Sequence, residues 1–195
     1  MKRIKLSILA FIFITLSILP IACNTSDEIN KKPDITGSIS TSPPQSEAGL
    51  VLEDKAPDFT LQTINGEMIK LSDFKGKTVM INMWWAGCEG CVEEIPHIQK
   101  AFTKISENNP DWAILTINVW DTSISLRKFI ENKKITFSVL IDPDKKLPQG
   151  YLKYGVPTTF FLDVNGIVRE VKHEIFQNPD EIEATFMSLQ RYNLQ

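Results

Sequence analysis

Residues Thr78 to Trp85 (TVMINMWW) run into Cys88-Glu89-Gly90-Cys91, and an amphipathic stretch from Val92 to Ile105 follows. The first segment is continuously apolar, as expected of a central strand from Val79 to Trp84 covered on both faces. In the last, Val92, Ile95, Ile98, Phe102 and Ile105 recur at helical spacing and give one apolar face. The spacing predicts a helix from Cys88 to Ser106, with a kink at Pro96. Two thiols separated by two residues at a strand-to-helix junction can close a reversible disulfide. The helix N-terminus helps to hold the first sulfur as thiolate, the reactive form. A structural disulfide, half of a zinc site and two inert thiols are the alternatives. A zinc site needs further ligands; Cys23 is remote, and His97 and His173 lack ligand spacing to the pair, so no metal is expected.

Working outward, the chain has 195 residues, 43% hydrophobic and 23% charged, with a net charge of −3. This is ordinary globular composition, and it carries no basic stripe or phosphate-binding glycine loop that would point to a nucleic-acid partner. Lys2, Arg3 and Lys5 precede the apolar run Leu6 to Ala22, the pattern of a signal segment. Residues 1–22 therefore read as a lipoprotein-type signal peptide, because Leu19-Pro20-Ile21-Ala22 before Cys23 resembles a bacterial lipobox. That resemblance implies lipidation of Cys23 and an exported domain anchored to the cell membrane. A retained N-terminal anchor, or a signal cleaved elsewhere, is the alternative. Residues 23–49 hold the lipidated cysteine and a flexible linker rich in Ser, Thr, Pro, Asn and Lys, too poor in apolar residues to pack. Residues 50–195 suffice for one hydrophobic core.

Within that domain, Asn65-Gly66 between Asp58–Leu61 and Glu67–Leu71 signals a β-hairpin, and Asn165-Gly166 between Thr158–Asp163 and Ile167–Lys172 signals another. Further strands are predicted at Trp112–Val119 and Phe137–Ile141. A helix from Thr122 or Ser123 to about Asn132 has Ile124, Leu126, Phe129 and Ile130 available for burial. Lys145 to Tyr154 holds a short helix or irregular turn. Pro179 stands at the first position of a last helix whose buried stripe is Ile182, Phe186 and Leu189. Strands alternating with helices, then a hairpin and a helix, make an α/β domain with a mixed sheet.

The order strand, CxxC, helix, strand-helix-strand, then Val156-Pro157-Thr158 before a hairpin resembles the thioredoxin fold: a central mixed sheet flanked by helices, with an N-terminal β-hairpin extension. More specifically, the domain resembles the membrane-tethered TlpA/ResA-like thiol–disulfide oxidoreductases, relatives of the AhpC/TSA redoxins. The resemblance rests on Ala56-Pro57-Asp58-Phe59-Thr60-Leu61, Gly66, Leu71 to Lys77, Asn82-Met83-Trp84, the group Cys88, Cys91, Glu94 and Pro96, and Gly155 to Phe160. The chain departs from the family at Gly87, where Trp is usual before the first cysteine, at Gly90, where Pro is common, and at Val92, where Arg is frequent.

The resemblance implies an extracytoplasmic protein-disulfide reductase with Cys88 and Cys91 as the catalytic pair and no cofactor beyond their disulfide. It implies protein disulfide substrates, apocytochrome c being the best-known client type, and a membrane thiol-transferring electron donor. Pro157 is expected to be cis, with Val156 and Pro157 receiving an extended substrate. Trp84 and Trp85 are candidates for a docking surface, one in the core and one at its rim. Glu89 is a like charge beside the Cys88 thiolate that tilts the pair towards reduction; Gly87 and Gly90 add no side-chain charge to that redox tuning. Asn82 stands where thioredoxins carry a buried acid. Glu94 reads as a surface residue complementing the helix dipole, with proton transfer as the alternative. His97 reads as exposed and inert, and Met80 and Met83 as core. A peroxidase of the peroxiredoxin type competes through the shared opening motif, but Trp84 to Gly87 lacks the Pro and Thr expected before a peroxidatic cysteine. A tethered metal chaperone is the non-enzymatic alternative.

Overall fold

The computed structural model describes residues 49–194. The signal segment, Cys23 and the linker up to Ala48 lie outside the described residues, among which no helix is long and apolar enough to cross a membrane. Seven strands form one sheet in the order β2-β1-β5-β4-β3-β6-β7. They are β1 (Thr60–Thr63), β2 (Met68–Lys70), β3 (Thr78–Trp84), β4 (Trp112–Asn118), β5 (Val139–Ile141), β6 (Thr158–Leu162) and β7 (Val168–Lys172). Strands β3, β4 and β5 are parallel, and β1, β2, β6 and β7 join antiparallel. Both Asn-Gly hairpins form; Gly66 and Gly166 take the left-handed conformation (φ 98° and 71°) that the tight turns require. The first hairpin is joined to the sheet, since Gln62 of β1 pairs with Ile141 of β5.

All seven residues of β3 are buried. Met80 and Trp84 face one core cluster, and Val79, Ile81 and Met83 face the other, as the two-residue period of a strand dictates. The buried apolar side chains of the helices α1 (Glu89–Asn108), α2 (Ser123–Lys133) and α3 (Pro179–Leu189) all belong to the first cluster. The opposite face is covered by Leu50, Ala56 and Phe59 of the entering segment, and by Leu147 and Tyr151 around a 3-10 turn at Gln149–Tyr151. Tyr151 is fixed there by a hydrogen bond from its hydroxyl to the Pro57 carbonyl, 2.7 Å.

Three expectations change in detail. Strand β5 starts at Val139, while Phe137 is buried ahead of it. Helix α1 continues through Pro96, which lies on its exposed side. Helix α2 buries Leu126 and half-buries Phe129 and Ile130, but Ile124 is 75% exposed. At 100° per residue, Ile124 lies about 200° from Leu126, on the far side of the stripe made by positions 126, 129 and 130. The last helix is capped by Asn178, whose Oδ1 accepts from the amides of Asp180 and Glu181 at 3.1 Å each, with Pro179 at its first position.

Phe186 anchors α3. It is fully buried, stacks on Trp112 with centroids 4.9 Å apart and meets Phe161 edge-on at 5.5 Å. Phe186→Ala should lower the urea-unfolding free energy by about 3–5 kcal/mol, as for other large aromatic truncations in a core; a loss under about 1 kcal/mol would show that α3 does not share the cooperative core.

Candidate active site

Strand β3 ends at Trp84, and the turn closed by the hydrogen bond from the Cys88 amide to the Trp85 carbonyl, 3.1 Å, delivers Cys88 to the N-cap of α1. Cys88 has extended backbone (φ −94°), and its sulfur accepts from the Cys91 amide at 3.2 Å. Cys88 and Cys91 are joined as a disulfide, with Cys88 half-buried and Cys91 fully buried one turn deeper. Their placement at a helix N-terminus is what favours a thiolate on the outer sulfur once the bond is reduced. Across from it, the Val156-Pro157 peptide bond is cis, and the Val156 carbonyl oxygen lies 3.9 Å from the Cys88 sulfur. Gly155 reaches that turn at φ 78°, and its carbonyl accepts from the Thr158 hydroxyl at 2.9 Å. The cis proline that the family resemblance implies is present.

Of the remaining predicted residues, Glu89 is the exposed first residue of α1. Gly90 lies under Ile175, whose Cγ2 would be 3.0 Å from a Cβ placed at position 90. Trp85 is at the rim, but Trp84 is fully buried and tilts against Phe129 at 5.5 Å, so it touches no substrate. His97 is half-buried, and its Nδ1 has no partner among the described residues; it is not the exposed residue expected after Pro96. Met80 and Met83 are core.

Glu94 is the main correction. It is not on the surface but fully buried, on the helix face that also buries Ile95 and Ile98. One carboxylate oxygen accepts from Asn82 Nδ2 at 2.9 Å and the other from the Phe176 amide at 3.2 Å. Asn82 Nδ2 also donates to Thr159 Oγ1 at 2.9 Å, while its Oδ1 has no partner among the described residues. Burial pushes the Glu94 carboxyl from 4.5 up to about 7, against the opposing pull of the Asn82 and Phe176 hydrogen bonds and of the Lys172 charge. A buried acid is therefore present beneath the dithiol, carried by α1 and hydrogen-bonded to the strand residue Asn82. A charge in the first turns of a helix reads from sequence as a dipole complement; only the approach of Phe176, distant along the chain, shows that this one is sealed in.

The shift carries a stability cost with a definite sign. The unfolded chain releases this proton near pH 4.5 and the folded protein near pH 7, so the folded state holds more protons in that window and loses stability as pH rises through it. The whole shift is worth roughly 3 kcal/mol. Glu94→Gln should remove this part of the pH dependence: relative to the wild type, its unfolding free energy should improve by roughly 2–3 kcal/mol between about pH 4 and about pH 8. Urea titrations of both oxidised proteins at the two pH values check it, and a constant difference between them would mean that Glu94 titrates as an ordinary surface acid.

The AhpC/TSA family model matches residues 52–171. The thiol-disulfide oxidoreductase ResA of Geobacillus kaustophilus is 34% identical over 116 residues, 60% of this chain and 66% of that protein. ResA of Bacillus subtilis is 33% identical over 116 residues, 60% of this chain and 64% of that protein. The chain thus spans just under two thirds of the length of these curated relatives. A thiol:disulfide interchange protein of the thioredoxin family from Chlorobium tepidum superposes with a TM-score of 0.62 over 71% of this chain and 97% of that one, at 19% identity, and so shares the fold. On the match over its sheet and dithiol segment, the chain belongs to the AhpC/TSA family, where it is similar to the ResA proteins.

Proposed function

We propose that this chain is an extracytoplasmic thiol–disulfide oxidoreductase, tethered by a lipid on Cys23, that reduces disulfides of exported proteins, apocytochrome c among them. The observation that carries the reading is the Cys88–Cys91 pair at the start of α1, its outer sulfur half-buried opposite Val156 and its inner sulfur sealed behind. In the reduced form, the Cys88 thiolate attacks one sulfur of the substrate disulfide. That bond breaks, a mixed disulfide forms, and the substrate's other sulfur leaves as a thiolate that takes a proton from water. Cys91 then loses its proton to Glu94, one helical turn further along, and attacks the Cys88 sulfur. The Cys88–Cys91 bond forms and the substrate's second sulfur is released as a thiolate. Two electrons have passed to the substrate, and a membrane thiol-transferring protein supplies two more by the same exchange, its own dithiol being oxidised to a disulfide as the Cys88–Cys91 bond is reduced. A carboxyl poised near 7 suits that proton transfer at neutral pH. The Val156 backbone pairs with the extended substrate, and no bound cofactor takes part. The relatives named ResA support the oxidoreductase activity. The signal-like segment and Cys23 support export and tethering.

The test combines the midpoint potential of the Cys88–Cys91 couple with turnover on a protein disulfide and on hydrogen peroxide. A potential well below the glutathione poise and turnover of the protein disulfide are expected; turnover of peroxide at catalytic rates would instead favour a peroxidase. Cys91→Ser should accumulate the mixed disulfide with substrate, because the attack that resolves it is lost, whereas Cys88→Ser should form none; mass spectrometry of the trapped adduct reads both. Glu89→Gln removes a like charge beside the reduced Cys88 and should raise the midpoint potential. An unchanged or lowered potential would show that Glu89 is only a solvated turn residue.

A further inference from the structure

The loop after β4 is tied to the loop that carries the dithiol. The Asp121 carboxylate accepts from the Ala86 amide at 2.8 Å and from Asn118 Nδ2 at 2.7 Å, and the Asp121 amide donates to Asn118 Oδ1 at 3.1 Å. The Val119 amide donates to the Trp84 carbonyl at 3.2 Å. Between these ties, Trp120 is held edge to face against Trp85, with ring centroids 5.7 Å apart. The Trp85 ring in turn lies over Gly87, where a Cβ would stand 2.4 Å from its Cζ2. Both indoles nonetheless stay in contact with solvent, Trp85 36% and Trp120 53% exposed, and the exposed Ile124 follows in the first turn of α2. Two large aromatic rings left in water, on loops fixed by backbone and carboxylate hydrogen bonds, are a surface built before its occupant arrives.

We propose that Trp85 and Trp120 form an aromatic ledge beside Cys88 that takes one large apolar side chain of an extended polypeptide substrate, next to the cysteine under attack. Trp120 is then a specificity-determining residue and Asp121 a positioning residue for it. The inference rests on the thiol–disulfide reading above. The ledge adjoins Cys88 through Gly87, and Val156 adjoins it through a carbonyl 3.9 Å from the sulfur. The loop of Val156 before β6 and the loop of Trp120 after β4 flank the end of β3 on its two sides, so a chain that pairs with Val156 and crosses Cys88 runs towards the indoles. A small thiol such as glutathione offers no apolar flank to fill the ledge. Tryptophan suits the task because its large, rigid, amphipathic surface loses little conformational freedom on contact.

The test uses the reduced full chain and two synthetic peptides. Each peptide carries one intramolecular disulfide, and they differ only in Leu or Gly beside one cysteine. The wild type should prefer the Leu peptide by roughly tenfold in kcat/KM, the size typical of one well-packed interface anchor. Trp120→Ala should bring that ratio close to unity, mainly by raising KM for the Leu peptide, and Trp120→Phe should keep most of it. Gly87→Ala should also depress the ratio, because the added methyl displaces the Trp85 ring, and it should have no such effect in a Trp85→Ala background. A wild type that reduces both peptides equally well, or a ratio that survives Trp120→Ala, overturns the ledge and leaves the oxidoreductase reading standing. A wild type that reduces neither peptide overturns both.

Discussion

Every part of the site is placed by the burial of β3 on both faces. A strand with no solvent side cannot slip by one residue without exchanging its two apolar sets, so Met80 and Trp84 are committed to the helical side and Val79, Ile81 and Met83 to the other. That register fixes where Asn82 points and where the strand runs out, and hence where Cys88 begins α1. Pairing with β6 on one side brings the loop of Val156 and Pro157 alongside, and pairing with β4 on the other brings Trp120 and Asp121. The site lies where three segments leave the same end of adjoining strands, whose ladder hydrogen bonds fix the points they leave from.

The one polar side chain in the middle of that strand is a second constraint. Asn82 sits in a fully buried environment, where an amide must find partners or cost free energy. Its Nδ2 finds them in Thr159 on β6 and Glu94 on α1, so a single amino group stitches the strand, its neighbour and the dithiol helix together. The same bond makes Glu94 tolerable in the interior. The pair is chemically asymmetric, since the amide keeps its state while the carboxyl can exchange a proton in the neutral range.

Much of this was legible in the chain itself. Apolar runs, two Asn-Gly turns, the caps of the helices and the CxxC segment follow from local rules, and the elements they predict are the elements found. What local rules missed depends on contacts between residues far apart. Glu94 looked like a surface acid because its burial is caused by Phe176, 82 positions away. Trp84 and Trp85 are indistinguishable as neighbours in sequence; the first is core because it is the last residue of the buried strand, and the second lies in the turn beyond the strand's end. Trp120 carried no signal in sequence, because its importance comes from Asp121 binding Ala86 across 35 residues. Ile124 is apolar and so reads as available for burial, but its phase on a short helix places it outside.

The closeness of Trp85 to the α-carbon of Gly87 has a consequence for how such a chain can change over generations. A side chain at 87 displaces the Trp85 ring from its present place, so the effect of a substitution at 87 depends on what occupies 85. A lineage that keeps the indole of residue 85 in this place must reduce it before a bulky residue can be accepted at 87 without displacing it, and the reverse route must first empty 87. The intermediate on either path lacks one indole beside the reactive sulfur. Where the ledge matters to the client, that intermediate is the less fit form, and the order of the two events is constrained by sterics alone.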